Sequence, residues 1–199
     1  MSHYLYLVRH GEQEHAEYGI EDGPLSERGR SQAHALGARL RHVPFHEAYT
    51  SPLERAVDTA GILDNYTQGP AIEQSNLLFD CIPSSQAGAP DVYDGFFSGI
   101  TTEAIDAGEA QMHDAAETWL TRSSEDRHTL LVTHNFVIGE LVRRALGMEP
   151  WRWLTLGTGN CALTVLRVRT VRPNELVLFG DVSHLAPHER TGRSGFPEI

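Results

Sequence analysis

Hydrophobic positions along this chain alternate between two rhythms. Short apolar runs at Tyr4 to Val8, Ala48 to Thr50 and His128 to His134 read as strands, the first and last buried on both faces. Between them, apolar residues recur at helical spacing. Ala33, Leu36, Gly37 and Leu40 follow Ser26, a candidate N-cap, and Pro44 closes that segment. Ala56, Thr59, Ala60 and Leu63 follow Ser51-Pro52, a capping hydroxyl with proline at the first helical position. Ile105, Met112, Ala115, Ala116 and Trp119 mark a long helix over residues 101–122, and Ile138, Leu141, Val142 and Ala145 another over 136–146. Residues 71–78 predict a third strand, and 161–169 and 176–179 two more, joined at Pro173-Asn174.

Alternation of this kind predicts an α/β fold, a three-layer αβα sandwich with a mainly parallel central sheet of about six strands and helices on both faces. A chain of 199 residues suits a single domain, 1–199. Residues 80–100, rich in Pro, Gly and Ser, are too short for an interdomain linker and read as a loop over a site. No apolar run approaches ~20 residues, so no transmembrane helix is expected. The opening strand carries no basic leader, so the expectation is a soluble, cytoplasmic protein without membrane partners.

Composition narrows the chemistry. A net charge of −11 argues against a nucleic-acid partner. All 16 basic residues are arginines, and the lack of lysine excludes both a P-loop lysine and Schiff-base catalysis. Cys81 and Cys161 form no C-x-x-C, so neither a disulfide framework nor a thiolate metal cluster is expected. His42 and His46 are separated by the helix-breaking Pro44, and the 11 histidines show no metal-ligand spacing; no metal or cofactor is predicted. Cys161 and Arg167 match the C-x-x-x-x-x-R spacing of cysteine phosphatases. The glycine-free residues between them read as a strand, however, whose N–H groups cannot all point at one anion.

Three strand-to-helix junctions carry matching chemistry. Arg9, His10 and the turn glycine Gly11 end the first strand, Arg55 sits in the first turn after the second, and His134 with Asn135 ends the buried strand at 128–134. If those strands are neighbours, Arg9, His10, Arg55 and His134 converge on one anion. A phosphate monoester carries close to two negative charges at pH 7. Two guanidinium forks match its oxygens, and a protonated His134 would add a third cation. Their field would lower the pKa of His10 and keep it nucleophilic.

Four segments resemble the histidine phosphatase (phosphoglycerate-mutase-like) superfamily: Leu7-Val8-Arg9-His10-Gly11-Glu12, Leu25 to Ala33, Ser51-Pro52-Leu53-Glu54-Arg55 through Ala60, and Val132-Thr133-His134. The resemblance implies a phosphatase working through a phosphohistidine at His10, with Arg9, Arg55 and His134 binding the phosphoryl group and no metal. The stretch around Asp80-Cys81-Ile82-Pro83 and the tail Gly180 to Pro187 look more like the protein-phosphatase branch related to mitochondrial phosphoglycerate-mutase-like phosphatases. The acid-phosphatase branch places its proton donor directly after the second histidine, where this chain has Asn135. That leaves Asp80 as the general acid, one methylene shorter than the glutamate usual in the family, with Glu73 and Asp94 in reserve. Gly11, Gln13, Asn135 and His184 are the expected substrate-binding residues. Gln13 replaces the serine or threonine of the mutases, and the 80–100 stretch is shorter than their insertion. A phosphoglycerate-type mutase and a non-catalytic phosphate-binding module remain the alternatives. The substrate, a phosphorylated small molecule or a phosphoprotein, and the oligomeric state are left open by the sequence.

Overall fold

Leu5 and Leu7 pack on one side of the opening strand and Val8 on the other, and both sides are covered. The computed structural model describes residues 1–15 and 22–192; Glu17 and Glu21 of the acidic stretch after Gly11 lie outside them. The elements are β1 (Ser2–Arg9), α1 (Glu27–Leu40), β2 (Glu47–Thr50), α2 (Glu54–Asp64), β3 (Glu73–Gln74), α3 (Asp94–Phe97), α4 (Thr102–Trp119), β4 (Arg127–Thr133), α5 (Asn135–Leu146), β5 (Leu163–Arg169) and β6 (Glu175–Asp181).

They build one six-stranded sheet in the order β3-β2-β4-β1-β5-β6. Strands β1 to β4 are parallel, β5 is antiparallel to β1, and β6 reverses again to run with the majority. The expected mainly parallel sandwich is the fold. Helices α1 and α2 cover one face through Leu36, Leu40, Ala60 and Leu63, packed on Val8, Leu130 and Val132. Helices α4 and α5 cover the other through Met112, Trp119, Ile138 and Leu141, packed on Leu5, Leu7 and Leu131. Two buried faces explain why β1 and β4 read as unbroken apolar runs rather than as alternating ones.

The structure departs from the sequence reading in the middle of the chain. The third strand, expected over 71–78, shrinks to Glu73–Gln74, followed by a 3-10 turn at Asn76–Leu78. Ser75 accepts from Leu77 N, and Leu78 is fully buried, so burying one leucine bends the segment out of the sheet edge. Residues 80–100 are not a bare loop: they hold a 3-10 turn at Asp91–Tyr93 and the single-turn helix α3. Aromatic packing holds them down, with Phe96 5.6 Å from Phe136 and 5.9 Å from Trp153, while Trp153 Nε1 donates to Ser84 Oγ at 2.8 Å. Among the described residues no helix is long and apolar enough to cross a membrane.

Candidate active site

The register of three neighbouring strands decides what meets at their carboxyl ends. Arg9 on β1 is level with Thr133 on β4, and Thr50 on β2 is level with Val132. The chain therefore leaves the sheet side by side at His10, Ser51 and His134, with His10 N donating to Thr133 O at 3.0 Å and Ser51 N to Val132 O at 2.9 Å. The rings of His10 and His134 lie 5.1 Å apart, centre to centre.

Arg55, in the first turn of α2, is the hub. Its Nε donates to His10 Nε2 at 3.2 Å, and Nη2 lies 3.3 Å from His134 Nδ1 and 3.4 Å from Asp80 Oδ2. Nη1 donates to Asp22 Oδ1 at 3.3 Å. The sequence reading gave the start of this helix to Ser51, but α2 begins at Glu54 and its cap is supplied from afar. Asp22 accepts from Glu54 N with both carboxylate oxygens, at 3.0 and 3.1 Å. The Ser51 hydroxyl accepts from Leu53 N at 3.4 Å and meets His134 Nε2 more closely, at 2.8 Å.

His10 is nearly buried, and its Nδ1 sits 2.7 Å from the carbonyl of Gly11. A carbonyl only accepts, so Nδ1 carries the proton and the Nε2 lone pair points into the site. Burial, with Arg9 and Arg55 adding to it, pushes the pKa of His10 down to about 3. The field expected from the arginines is thus real but second to desolvation. The same reasoning corrects His134. Burial, then His10, Arg55 and Arg9, push it down to about 2, so in the free pocket it is neutral and not the third cation. Asp80 shifts the other way: its side chain stays 41% exposed at the pocket edge, and partial desolvation there raises its pKa against the pull of Arg55 and Arg9, the direction a proton donor needs.

Arg9 is fixed from outside its own strand. One terminal nitrogen donates to the carbonyls of Thr158 at 2.5 Å and Gly192 at 2.6 Å, while its buried Nε has no partner among the described residues.

Other expected residues have different partners. Gly11 donates its amide to Thr59 Oγ1 at 3.0 Å, and a Cβ there would come within 2.7 Å of Gly29 O, so its smallness serves the close approach of α1. Gln13 is buried, its backbone bridged to Leu25. Asn135 spends its carbonyl oxygen on Thr158, accepting from N at 2.7 Å and from Oγ1 at 3.1 Å, and so braces the loop that holds Arg9. His184 has both ring nitrogens engaged, Nδ1 3.0 Å from Arg39 Nη1 and Nε2 3.0 Å from Cys161 O. Of the reserve acids, Glu73 is exposed on the edge strand β3 and Asp94 is exposed at the start of α3. Cys161 is fully buried at φ +50° with its thiol pushed far up, which disposes of the cysteine-phosphatase reading. Among the described residues no group of three or more His, Cys, Asp or Glu could hold a metal ion.

The sequence profile of the histidine phosphatase superfamily (branch 1) matches residues 5–78 and 86–181. The chain belongs to that superfamily. The two matched stretches carry Arg9, His10, Ser51, Arg55 and His134, and the gap between them contains Asp80. Among curated relatives, a mitochondrial serine/threonine-protein phosphatase Pgam5 of Caenorhabditis briggsae is 30% identical over 193 residues, which is 93% of this chain and 65% of the relative. The human PGAM5 protein of the same description is 29% identical over 197 residues, 94% of this chain and 65% of the relative. The chain thus spans about two thirds of the length of these relatives. Both are named as mitochondrial, which does not match the expected cytoplasmic location. Among solved structures, Bacillus stearothermophilus YhfR superposes with a TM-score of 0.73 at 25% identity, covering 92% of this chain and 98% of that one. A phosphoserine phosphatase of Entamoeba histolytica, solved with 3-phosphoglyceric acid, shares the fold at TM-score 0.67 and 21% identity, over 92% of this chain and 100% of its own.

Sequence reading missed Asp22, Ser51, Thr59 and Thr158 as parts of the site. Ser51 and Thr59 lie inside the motif that drew attention to Arg55, so their proximity was there to be used. Asp22 and Thr158 carry no local signal.

Proposed function

We propose that this histidine phosphatase superfamily member hydrolyses phosphate monoesters through a phosphohistidine at His10. One observation carries the reading: His10 is held neutral, with its Nδ1 proton directed to Gly11 O and its Nε2 lone pair accepting from Arg55 Nε, beside the His134 ring. The phosphoryl oxygens take up the donors of Arg9 and Arg55 while Nε2 attacks phosphorus. As the P–N bond forms, the ester P–O bond breaks, and Asp80 gives its proton to the departing alkoxide. The Asp80 carboxylate then takes a proton from a water that attacks phosphorus, the P–N bond breaks, and inorganic phosphate leaves with His10 and Asp80 restored.

Relatives named as serine/threonine-protein phosphatases, matched over at least 93% of this chain, support a phosphoserine or phosphothreonine side chain as the substrate. The cytoplasmic location is tested by cell fractionation against a mitochondrial marker.

Rapid quenching during turnover of a phosphorus-labelled ester should trap an acid-labile, base-stable label on wild type and none on His10→Ala. Turnover with no label at residue 10 would refute the mechanism.

A further inference from the structure

His134 and Ser51 are both essentially sealed from solvent, and the His134 Nε2 to Ser51 Oγ contact of 2.8 Å is the shortest polar contact either side chain makes. The other ring nitrogen, Nδ1, faces Arg55 Nη2 at 3.3 Å, with Asp80 Oδ2 at 3.8 Å. A guanidinium only donates, so Nδ1 presents a lone pair to it. In a neutral imidazole the proton is then on Nε2, where it has a single acceptor, the Ser51 hydroxyl.

We infer that Ser51 is a positioning residue that pins the proton of His134 on Nε2, so that Nδ1, the nitrogen facing the anion site, is the one that changes state when a phosphoryl group arrives. The inference rests on the phosphatase reading above. Phosphoryl oxygens of a dianion only accept, so Nδ1 has to become a donor to them. With Nε2–H already committed to Ser51, the proton His134 takes up from solvent goes on Nδ1, and the resulting imidazolium keeps its bond to Ser51 while gaining one to the substrate. Burial first, and then His10 and Arg9 at the end of β1 and Arg55 on α2, hold the ring neutral in the free pocket, while Asp80 Oδ2 lies 3.8 Å from Nδ1. An added dianion outweighs that balance and raises proton affinity at Nδ1. Without the hydroxyl, Nε2–H would be a buried donor with no acceptor, and the ring would rotate or change tautomer.

Nitrogen-15 spectra of the histidine side chains test this directly. In wild type, His134 should be an Nε2–H imidazole when free and an imidazolium when saturated with inorganic phosphate or vanadate. In Ser51→Ala the single-tautomer pattern should be lost, kcat/KM should fall about 10- to 100-fold with a changed pH profile, and the protein should stay folded with its melting temperature lowered by a few degrees. Ser51→Thr, which keeps the hydroxyl, should restore the free-state tautomer. An Nδ1–H tautomer in free wild type overturns the inference, and that reading holds even if Ser51→Ala does not fold. So does a Ser51→Ala enzyme with unchanged kcat/KM and pH profile. Failure to trap phosphate on His10 would refute the reaction while leaving the tautomer measurement standing, so the two failures are distinguishable.

Discussion

Arg55 Nε donates to His10 Nε2 at 3.2 Å, so the proposed attacking nitrogen is hydrogen-bonded to the guanidinium proposed to bind the substrate. That contact orients the ring and, in the proposed reaction, gives way to the phosphoryl oxygens. Because the same guanidinium also meets His134, Asp80 and Asp22, its planar fork matters more than its charge. Arg55→Lys, which keeps the charge and loses the fork, should lower kcat/KM for p-nitrophenyl phosphate by roughly 100-fold or more. A melting curve separates this from unfolding. Activity within threefold of wild type would show that Arg55 is not the hub.

Asp80 lies 3.4 Å from Arg55 and 3.8 Å from His134, at the edge of the anion site. As the proton donor it should matter in proportion to the basicity of the leaving group. Asp80→Asn should reduce turnover of an alkyl phosphate by about 100-fold or more and of p-nitrophenyl phosphate far less. Wild-type activity on the alkyl ester should decline on the alkaline side as Asp80 loses its proton, and Asp80→Asn should lack that limb. Equal losses on both esters would move the acid elsewhere, with Glu73 and Asp94 next to be replaced.

Burial of two neutral histidines has a consequence for stability. His10 drops from 6.5 to about 3 and His134 from 6.5 to about 2, so between pH 6.5 and about 3 the unfolded chain binds protons that the folded one refuses. Their contribution is complete above pH 6.5 and is lost as pH falls toward the folded values. The melting temperature should therefore fall steadily through this window. The double variant His10→Gln/His134→Gln should show a shallower decline, and a slope identical to wild type would contradict the assignment.

Gly108 on α4 lets the helix touch the segment that carries Asp80: a Cβ there would stand 2.0 Å from Ile82 O, a contact with rigid backbone. Gly108→Ala should cost about 1–3 kcal/mol in chemical denaturation, because either the helix or the 80–86 segment has to shift. If the segment moves, alkyl-ester turnover should fall more than p-nitrophenyl turnover, echoing Asp80→Asn. A fully stable variant with normal turnover on both would show that the contact is slack.

The alternation of apolar runs and helical stripes was enough to predict the layered α/β fold, because the central strands of a doubly covered sheet are apolar throughout and each covering helix is apolar on one side. Residue identity at three strand-to-helix junctions, Arg9-His10, Arg55 and His134, gave the expectation of an anion site, because their convergence suits a phosphoryl group where any one of them alone would not. Tertiary structure alone decided which partners those groups have. Strand order β2-β4-β1 is a matter of long-range pairing, and it seats Ser51 beside His134, 83 positions away along the chain. The same non-local packing brings Asp22 to the start of α2, hands Asn135 to the Thr158 loop and sets Arg9 against Gly192. Burial, which no local pattern measures, turned His134 from the expected cation into a neutral ring. A motif fixes which groups are present at a strand end; their charge and their hydrogen bonds depend on what the rest of the chain packs around them.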